Sequence, residues 1–183
     1  MELILSVKPD YVLFGGSGTI TLASPELAAR YAIPTLRRCS AMAREAGVLT
    51  MLHSCGKSRR LVEMLVEQTD VDLINPLEPP PMGDVDLAEA KRLWGDRIAL
   101  MGNLHTTDLL LRGSPDEVRR AALRAMCDAG ANGGFVLSTG DQCPRETPVE
   151  NLFTLIETAR EFGRYDRSTG TLPDVESACE ERP

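Results

Sequence analysis

Short apolar runs alternate along the chain with longer segments in which apolar residues recur every three or four positions. The short runs favour β-strands and the periodic segments favour amphipathic helices. Five strands are predicted, at residues 11–14, 48–53, 71–75, 97–101 and 134–137. Helices are predicted at residues 25–31, 34–47, 57–68, 86–94 and 106–111, from residue 115 onward, and at 148–162. This alternation is typical of parallel strands joined by right-handed crossovers.

The last predicted helix and the segment after it define the end of the folded region. The predicted inner face of this helix consists of Val149, Leu152, Phe153, Ile156 and Ala159. After Gly163 the chain turns polar and loses its periodicity, so residues 166–183 are predicted to be a disordered polar tail in which Cys179 has no site role. The folded domain is therefore predicted to span residues 1–165.

Every predicted strand is followed by polar or metal-ligating residues. They are Ser17, His53, Cys55, Asn75, Glu78, Asn103, His105, Asp141 and Cys143. A row of such residues at one end of a parallel sheet is typical of the active end of a (β/α)8 barrel, which needs eight βα units to close. The predicted fold class is therefore α/β, a partial (β/α)8 TIM barrel of about five βα units with a parallel sheet.

One candidate site lies where the second predicted strand ends, in the motif His53-Ser54-Cys55-Gly56. In an extended chain, residues i and i+2 point to the same side, so His53 and Cys55 could hold one ion. Imidazole and thiolate form a zinc-type pair, and a catalytic zinc site needs a third protein ligand and an open position. The alternative interpretation is a buried cysteine and a histidine that caps a helix.

Composition excludes several other classes of protein. The 183 residues are 43% hydrophobic, which allows one domain with a real core. The net charge of −7 and the lack of a basic cluster argue against nucleic acid as a partner. No apolar run approaches the roughly 20 residues of a membrane span. Five irregularly spaced cysteines do not suit a disulfide framework, so a cytoplasmic location is expected, with Cys39 and Cys127 as small core residues.

Several motifs together give the chain a resemblance to a known family. They are His53-Ser54-Cys55-Gly56, Gly102-Asn103, Ser114-Pro115-Asp116-Glu117 and Thr147-Pro148-Val149-Glu150-Asn151. Over residues 9–165 the chain resembles the C-terminal half of the uroporphyrinogen decarboxylase superfamily, and it looks closest to the zinc-dependent corrinoid methyltransferase branch. The resemblance implies zinc-dependent methyl transfer between a methyl donor or thiol acceptor and a corrinoid protein. The implied cofactors are Zn²⁺ and a methylcorrinoid (cobalamin) carried by that partner protein.

The same resemblance implies a set of metal ligands. His53 and Cys55 match the metal motif of the methyltransferases, which take a further cysteine from the loop before the Thr-Pro helix. In this sequence Asp141 occupies that position and Cys143 lies two residues later. Either side chain can bind zinc. Cys143 is the favoured third ligand because thiolate is the softer donor and Pro144 fixes the loop.

Three further residues are candidate catalytic groups. His105 is either a proton carrier or the cap of the helix that starts at Thr106. Glu78, among prolines, positions substrate, acts as a base or is a solvated loop charge. Asn103 is expected to fix the turn at the strand end and to reach substrate. The loop 15–19 is expected to shape the rim of a pocket rather than to bind phosphate.

Two other functions stay open at this point. One is a decarboxylase-like lyase, although the residues that grip porphyrinogen carboxylates belong to the N-terminal half that this sequence lacks. The other is a non-catalytic half-barrel that requires a partner chain. The length suggests a fragment, a split gene product or a truncated reading frame. Unpaired strand edges at Tyr11 and Val136 predict a separate N-terminal half-barrel or a homodimer as partner.

Overall fold

The computed structural model describes residues 1–180, apart from the side chains of residues 176, 179 and 180, and contains a five-stranded parallel sheet. The strands are β1 Tyr11–Gly15, β2 Leu49–His53, β3 Leu73–Asn75, β4 Ala99–Leu104 and β5 Phe135–Thr139. Their order in the sheet is their order in the sequence, and each neighbouring pair is parallel. This is the arrangement of five consecutive units of a (β/α)8 barrel, which confirms the predicted fold class.

Eight α-helices lie before, between and after these strands in the described residues. They are α1 Glu2–Ser6, α2 Pro25–Leu27, α3 Ile33–Glu45, α4 Arg59–Gln68, α5 Leu87–Trp94, α6 Pro115–Ala129, α7 Val149–Phe162 and α8 Pro173–Glu180. Helices α2 to α7 are close to predicted positions. The predicted capping box is present at the start of α6, where the Ser114 and Glu117 side chains each bond the other residue's backbone. Within the described residues, no helix is both long and apolar enough to cross a membrane.

The two helices predicted at residues 25–31 and 34–47 form one continuous run. A π-helical turn, Ala28–Ala32, joins α2 directly to α3. Pro34 follows this turn, and proline has no N–H to donate to a regular helical ladder. A wider π turn at that point lets the chain continue through the proline instead of breaking.

The strand register divides the sheet into two faces with different surroundings. Leu52, Ile74 and Leu100 are register partners and are all buried in the main core. Leu13 and Met51 are register partners on the opposite face, where Leu13 is 52% exposed. We call this second side the open face of the sheet. It also carries His53 and Asn75, which are paired in register at the carboxyl ends of their strands.

Helix α7 buries a different stripe from the one predicted. Val149, Phe153 and Ile156 are 52%, 57% and 44% exposed. The stripe that faces inward is Asn151, Leu155 and Thr158. The two stripes differ by two residues, which is about 200° around a helix. The predicted inner face of α7 was therefore wrong for Val149, Phe153 and Ile156, whereas its other two members, Leu152 and Ala159, are half-buried. The Asn151 amide faces inward instead and donates to the backbone carbonyls of Leu110 and Gly113.

The segment predicted to be a disordered tail instead continues the fold to residue 180. Helix α8 follows Leu172, which is buried together with Val175 against Met126 of α6. These two apolar side chains supply the burial that a disordered segment lacks. Cys127 is disulfide-bonded, whereas the sequence suggested a small core residue and no disulfide framework. The prediction for residues 181–183 lies outside the described residues.

Candidate metal centre

Three of the four predicted metal ligands converge where the strands end. The ligand atoms of His53, Cys55 and Asp141 all lie within 4.8 Å of one another. His53 Nε2 is 3.9 Å from Asp141 Oδ1, although their strands are three positions apart in the sheet. In a flat sheet three steps would span about 14 Å. The curvature of the sheet and the inward lean of the loop after β5 therefore bring these groups together.

The orientation of the His53 ring is fixed by its neighbour on the open face. Its Nδ1 is 3.0 Å from Asn75 Oδ1. An amide oxygen only accepts hydrogen bonds, so in the neutral imidazole this contact places the ring proton on Nδ1 and leaves Nε2 as the nitrogen that can bind a metal. The free nitrogen is the one near Asp141. A partner on the other ring nitrogen is the usual support for a metal-bound histidine.

Backbone hydrogen bonds hold the loop that carries Cys55. The Ser54 N–H donates to the Asn75 carbonyl at 2.8 Å, and the Ser54 hydroxyl accepts from the Thr19 N–H at 3.2 Å. Three residues after Ser54, the Lys57 N–H donates to the Thr21 hydroxyl oxygen at 2.8 Å. The glycine-rich loop after β1 thus stabilises the loop that carries Cys55 through Thr19 and Thr21.

Glu78 is a buried carboxylate, 6% exposed, and not a solvated loop charge. Its Oε2 accepts a hydrogen bond of 2.6 Å from the Gly56 N–H. Its side chain also lies beside Gly140, where an added Cβ would be 3.6 Å from Glu78 Cγ. Glu78 therefore touches the loops of both Cys55 and Asp141 and positions one against the other.

The loop after β5 separates Asp141 from Cys143. The Thr139 hydroxyl donates to the Asp141 carbonyl at 2.9 Å, and the Gly140 N–H donates to the Leu104 carbonyl at 2.7 Å. Cys143 is half-buried and packs against the main core instead of joining the three converging ligand atoms. Burial raises the pKa of the Cys143 thiol, and a hydrogen bond with Thr139 offsets part of that rise.

The side chains of Asn103 and His105 form hydrogen bonds with backbone groups beside the site. The Asn103 amide donates to the Leu77 carbonyl at 3.1 Å, which fixes the chain at the end of β3. His105 Nδ1 accepts from the Asp108 N–H at 3.0 Å, so it caps the π-helical segment Thr106–Leu111 as one of its two predicted roles. Both residues line a cavity of about 530 Å³ whose lining includes none of the three converging residues.

Ser54 and Thr21 support the site but were not among the predicted residues. Asn75 was predicted only as one of the polar residues at the strand ends, and Thr19 only as part of the loop 15–19 at the rim of a pocket. A signal for Asn75 existed, because an asparagine ends the strand next to the one that ends in His53. No comparable signal linked Thr19 or Thr21 to the loop that carries Cys55. Their role depends on how the loop after β1 folds over the neighbouring strand, which a single sequence does not show.

The fold and the converging side chains define a barrel-type α/β protein with a candidate metal site on the open face of its sheet. The family model described as "Uroporphyrinogen decarboxylase (URO-D)" matches residues 12–162, most of the chain. The chain belongs to the uroporphyrinogen decarboxylase family. The recognition made from the sequence motifs is thereby confirmed.

Individual relatives differ in how much of the chain they match. The methylcobamide:CoM methyltransferase MtaA of Methanosarcina barkeri is 30% identical over 77% of this chain and 38% of its own length. A uroporphyrinogen decarboxylase of Coxiella burnetii is 35% identical over 42% of this chain and 21% of its own length. A solved structure, "methyltransferase from Methanosarcina mazei", has a TM-score of 0.68 at 21% identity and covers 88% of this chain and 44% of its own. The chain thus spans less than half the length of each.

For a metal ion held at this candidate site, replacing Glu78 with alanine is expected to weaken zinc binding about 10- to 100-fold, the usual cost of losing a residue that supports a metal ligand. The change leaves the Gly56 N–H without its acceptor and frees the Cys55 loop. Glu78→Gln keeps an acceptor oxygen and should lose less. Zinc titration against a fluorescent chelator measures both. Equal affinity in Glu78→Ala and the unchanged protein would contradict the positioning role.

Proposed function

We propose that this chain binds one zinc ion through His53, Cys55 and Asp141 and uses it for methyl transfer between a thiol and a corrinoid protein. The observation that carries the proposal is the convergence of the three ligand atoms within 4.8 Å. One imidazole nitrogen, one thiolate and one carboxylate make a suitable donor set for zinc. Three protein ligands also leave the open position that distinguishes a catalytic site from a structural one.

The third ligand in this proposal is Asp141, whereas the sequence favoured Cys143. The geometry supports the exchange, since Asp141 Oδ1 approaches His53 Nε2 and the Cys143 side chain packs against the core. A carboxylate oxygen is a harder donor atom, in the hard–soft sense, than the sulfur of a second thiolate. Carboxylates are nevertheless among the ligands that zinc accepts.

Methyl transfer is favoured over decarboxylation by the extent of the similarity. The relatives whose names describe methyl transfer to coenzyme M match 77–88% of this chain. The decarboxylases match 42–46% of it. This chain spans 21–42% of the length of each of these relatives.

In the proposed reaction the protein side chains hold the metal, and the thiol is activated at that metal. Zinc, when bound, supplies a Lewis acid that favours the thiolate form of a thiol. His53, held by Asn75, and Cys55, held by the Glu78–Gly56 contact, keep two donors fixed toward the open face. In transfer to a thiol, the methyl group forms a carbon–sulfur bond as its bond to cobalt breaks, and that electron pair stays on cobalt. The reverse use, activation of a methyl donor toward cobalt, employs the same site.

The zinc-loaded protein is expected to transfer the methyl group of methylcobalamin to coenzyme M, the thiol for which the Methanosarcina methyltransferases are named. Removal of zinc with a chelator, or the Cys55→Ser change, should lower the rate by at least about 100-fold, since the activating group is lost. The loss of the cobalt–carbon bond is followed by absorbance, and the methylated thiol by mass spectrometry. Equal rates with and without zinc would contradict the proposal. Decarboxylation of uroporphyrinogen by metal-free protein would favour the lyase instead.

A further inference from the structure

The cavity of about 530 Å³ that His105 lines lies between the loop after β3, the end of β4 and helix α6. The loop contributes Pro79 and Pro80 to its lining, and α6 contributes the small residues Ala121 and Ala125. All of its lining residues fall between positions 59 and 128, and β3 and β4 each have a neighbouring strand on both sides. The cavity is therefore away from the edges of the sheet. Its volume is within the roughly 300–1,000 Å³ of ligand pockets.

The cavity is separate from the candidate metal centre. Val85, Leu87 and Leu104 line it and are buried in the main core. That core lies on the side of the sheet opposite the open face, which carries His53. Binding in the cavity can therefore be measured independently of the proposed zinc chemistry.

His105 gives the cavity lining a hydrogen-bond donor without an acceptor. Its Nδ1 accepts from the Asp108 N–H at 3.0 Å, so in the neutral imidazole the ring proton is on Nε2. The side chain is 17% exposed, and its Nε2 has no hydrogen-bond partner among the described residues, since Asp108 Oδ2 lies 3.9 Å away. A donor that is removed from water without an acceptor is costly, and a ligand oxygen would remove that cost.

Three charged residues of the lining, in contrast, already have close partners. Asp84 Oδ1 accepts from two backbone N–H groups at the start of α4, at 2.8 and 3.0 Å. Asp86 Oδ1 accepts from the Glu89 N–H at the start of α5, at 2.8 Å. Both terminal nitrogens of Arg59 donate to the Glu89 carboxylate. The unpaired polar group is therefore the neutral N–H of His105.

The charge of the lining selects among ligands that could accept from that N–H. The charged lining residues are two arginines and three aspartates, a formal charge of −1, namely Arg59, Arg124, Asp84, Asp86 and Asp128. A ligand carboxylate would meet like charge here, and like charges close together are unfavourable. A protonated amine has no lone pair to accept the His105 proton. A neutral carbonyl oxygen accepts a hydrogen bond without carrying a charge.

We propose that this cavity is a second ligand site, which binds small neutral carbonyl compounds such as amides. The carbonyl oxygen accepts the His105 Nε2–H, and the apolar part of the ligand packs against Val85, Leu104 and Ala125. This assigns a binding role to a histidine that the metal centre does not use.

The test compares three head groups on one apolar chain, with hexanamide, hexanoate and hexylammonium as probes. Each is titrated into the ¹⁵N-labelled protein and followed by NMR. We expect hexanamide to bind at least about ten-fold more tightly than either charged probe, because each of those leaves a charge or the His105 donor without a partner. The Nε2 resonance of His105 should report a bound proton and shift on addition of hexanamide.

Two variants separate the donor from the cavity itself. His105→Asn keeps an acceptor for the Asp108 N–H, because asparagine is a good helix cap, but it removes the Nε2 donor. Hexanamide affinity should fall at least about ten-fold. Ala121→Leu fills the cavity and should abolish binding. Ala88→Leu is its matched control, since Ala88 is an exposed helical alanine outside the lining.

Four outcomes would overturn the proposal. They are equal affinity for the three probes, tighter binding of a charged probe, hexanamide affinity that is unchanged in Ala121→Leu, and no binding of hexanamide at millimolar concentration. The last result would mean that water alone serves the donor. If His105→Asn does not fold, Ala121→Leu and the comparison of head groups still decide the question. Zinc content measured on the same samples reports separately on the proposed function.

Discussion

Cys55→Ser is expected to abolish stoichiometric zinc binding, while Cys143→Ser is expected to leave it intact. Cys55 belongs to the three converging ligand atoms and Cys143 does not. Loss of a direct ligand should cost more than the 10- to 100-fold that supporting residues cost, so a fall in affinity of at least about 100-fold is expected. Inductively coupled plasma mass spectrometry of the purified variants measures the zinc content.

Matched controls are available within the chain. Cys39, Cys55 and Cys143 are all free thiols of intermediate exposure, so Cys39→Ser and Cys143→Ser carry the same chemical change outside the proposed site. Asp141→Asn removes the third ligand's charge and should resemble Cys55→Ser. Zinc should also be released as the pH falls, because thiolate, carboxylate and imidazole ligands must be deprotonated to bind. Zinc lost from Cys143→Ser and kept in Asp141→Asn would restore the thiolate that the sequence favoured.

The choice between these two third ligands marks the limit of what the sequence could predict. His53 and Cys55 are two residues apart on one strand, so their common direction follows from strand geometry alone. Asp141 and Cys143 lie on a loop three strands away. Which of them turns toward the site depends on the Gly140–Leu104 hydrogen bond and on the packing of Cys143 against the core. Neither contact can be predicted from the residues adjacent in the sequence.

The alternation of strands and helices was predictable because each element carries its own period and caps, as at Ser114 and Glu117. The inward face of α7 was not, since periodicity identifies an apolar stripe without saying which neighbour covers it. The burial of Glu78 could not be predicted from the sequence either. A glutamate among prolines has the composition of an exposed loop, and its burial is seen in the structure, where its carboxylate accepts from the Gly56 N–H.

Gly56→Ala is expected to disrupt the loop that carries Cys55. Gly56 has φ +82°, a conformation that disfavours residues with a Cβ. An added Cβ would also lie 2.3 Å from the Thr21 hydroxyl oxygen, which accepts the Lys57 N–H. Either the loop or Thr21 must move, and both movements displace the neighbouring Cys55. We expect about 1–3 kcal/mol of lost stability and zinc affinity reduced at least about ten-fold.

Gly47→Ala separates backbone strain from the steric clash. Gly47 has a similar φ of +70°, but an added Cβ there meets nothing within 4 Å, and the residue lies in the turn before β2. This variant should lose about 1 kcal/mol from strain and keep its zinc. Urea denaturation gives the stability of both variants and chelator titration gives their zinc affinity. If Gly56→Ala matches Gly47→Ala in both measurements, close packing against Thr21 does not hold the cysteine loop in place.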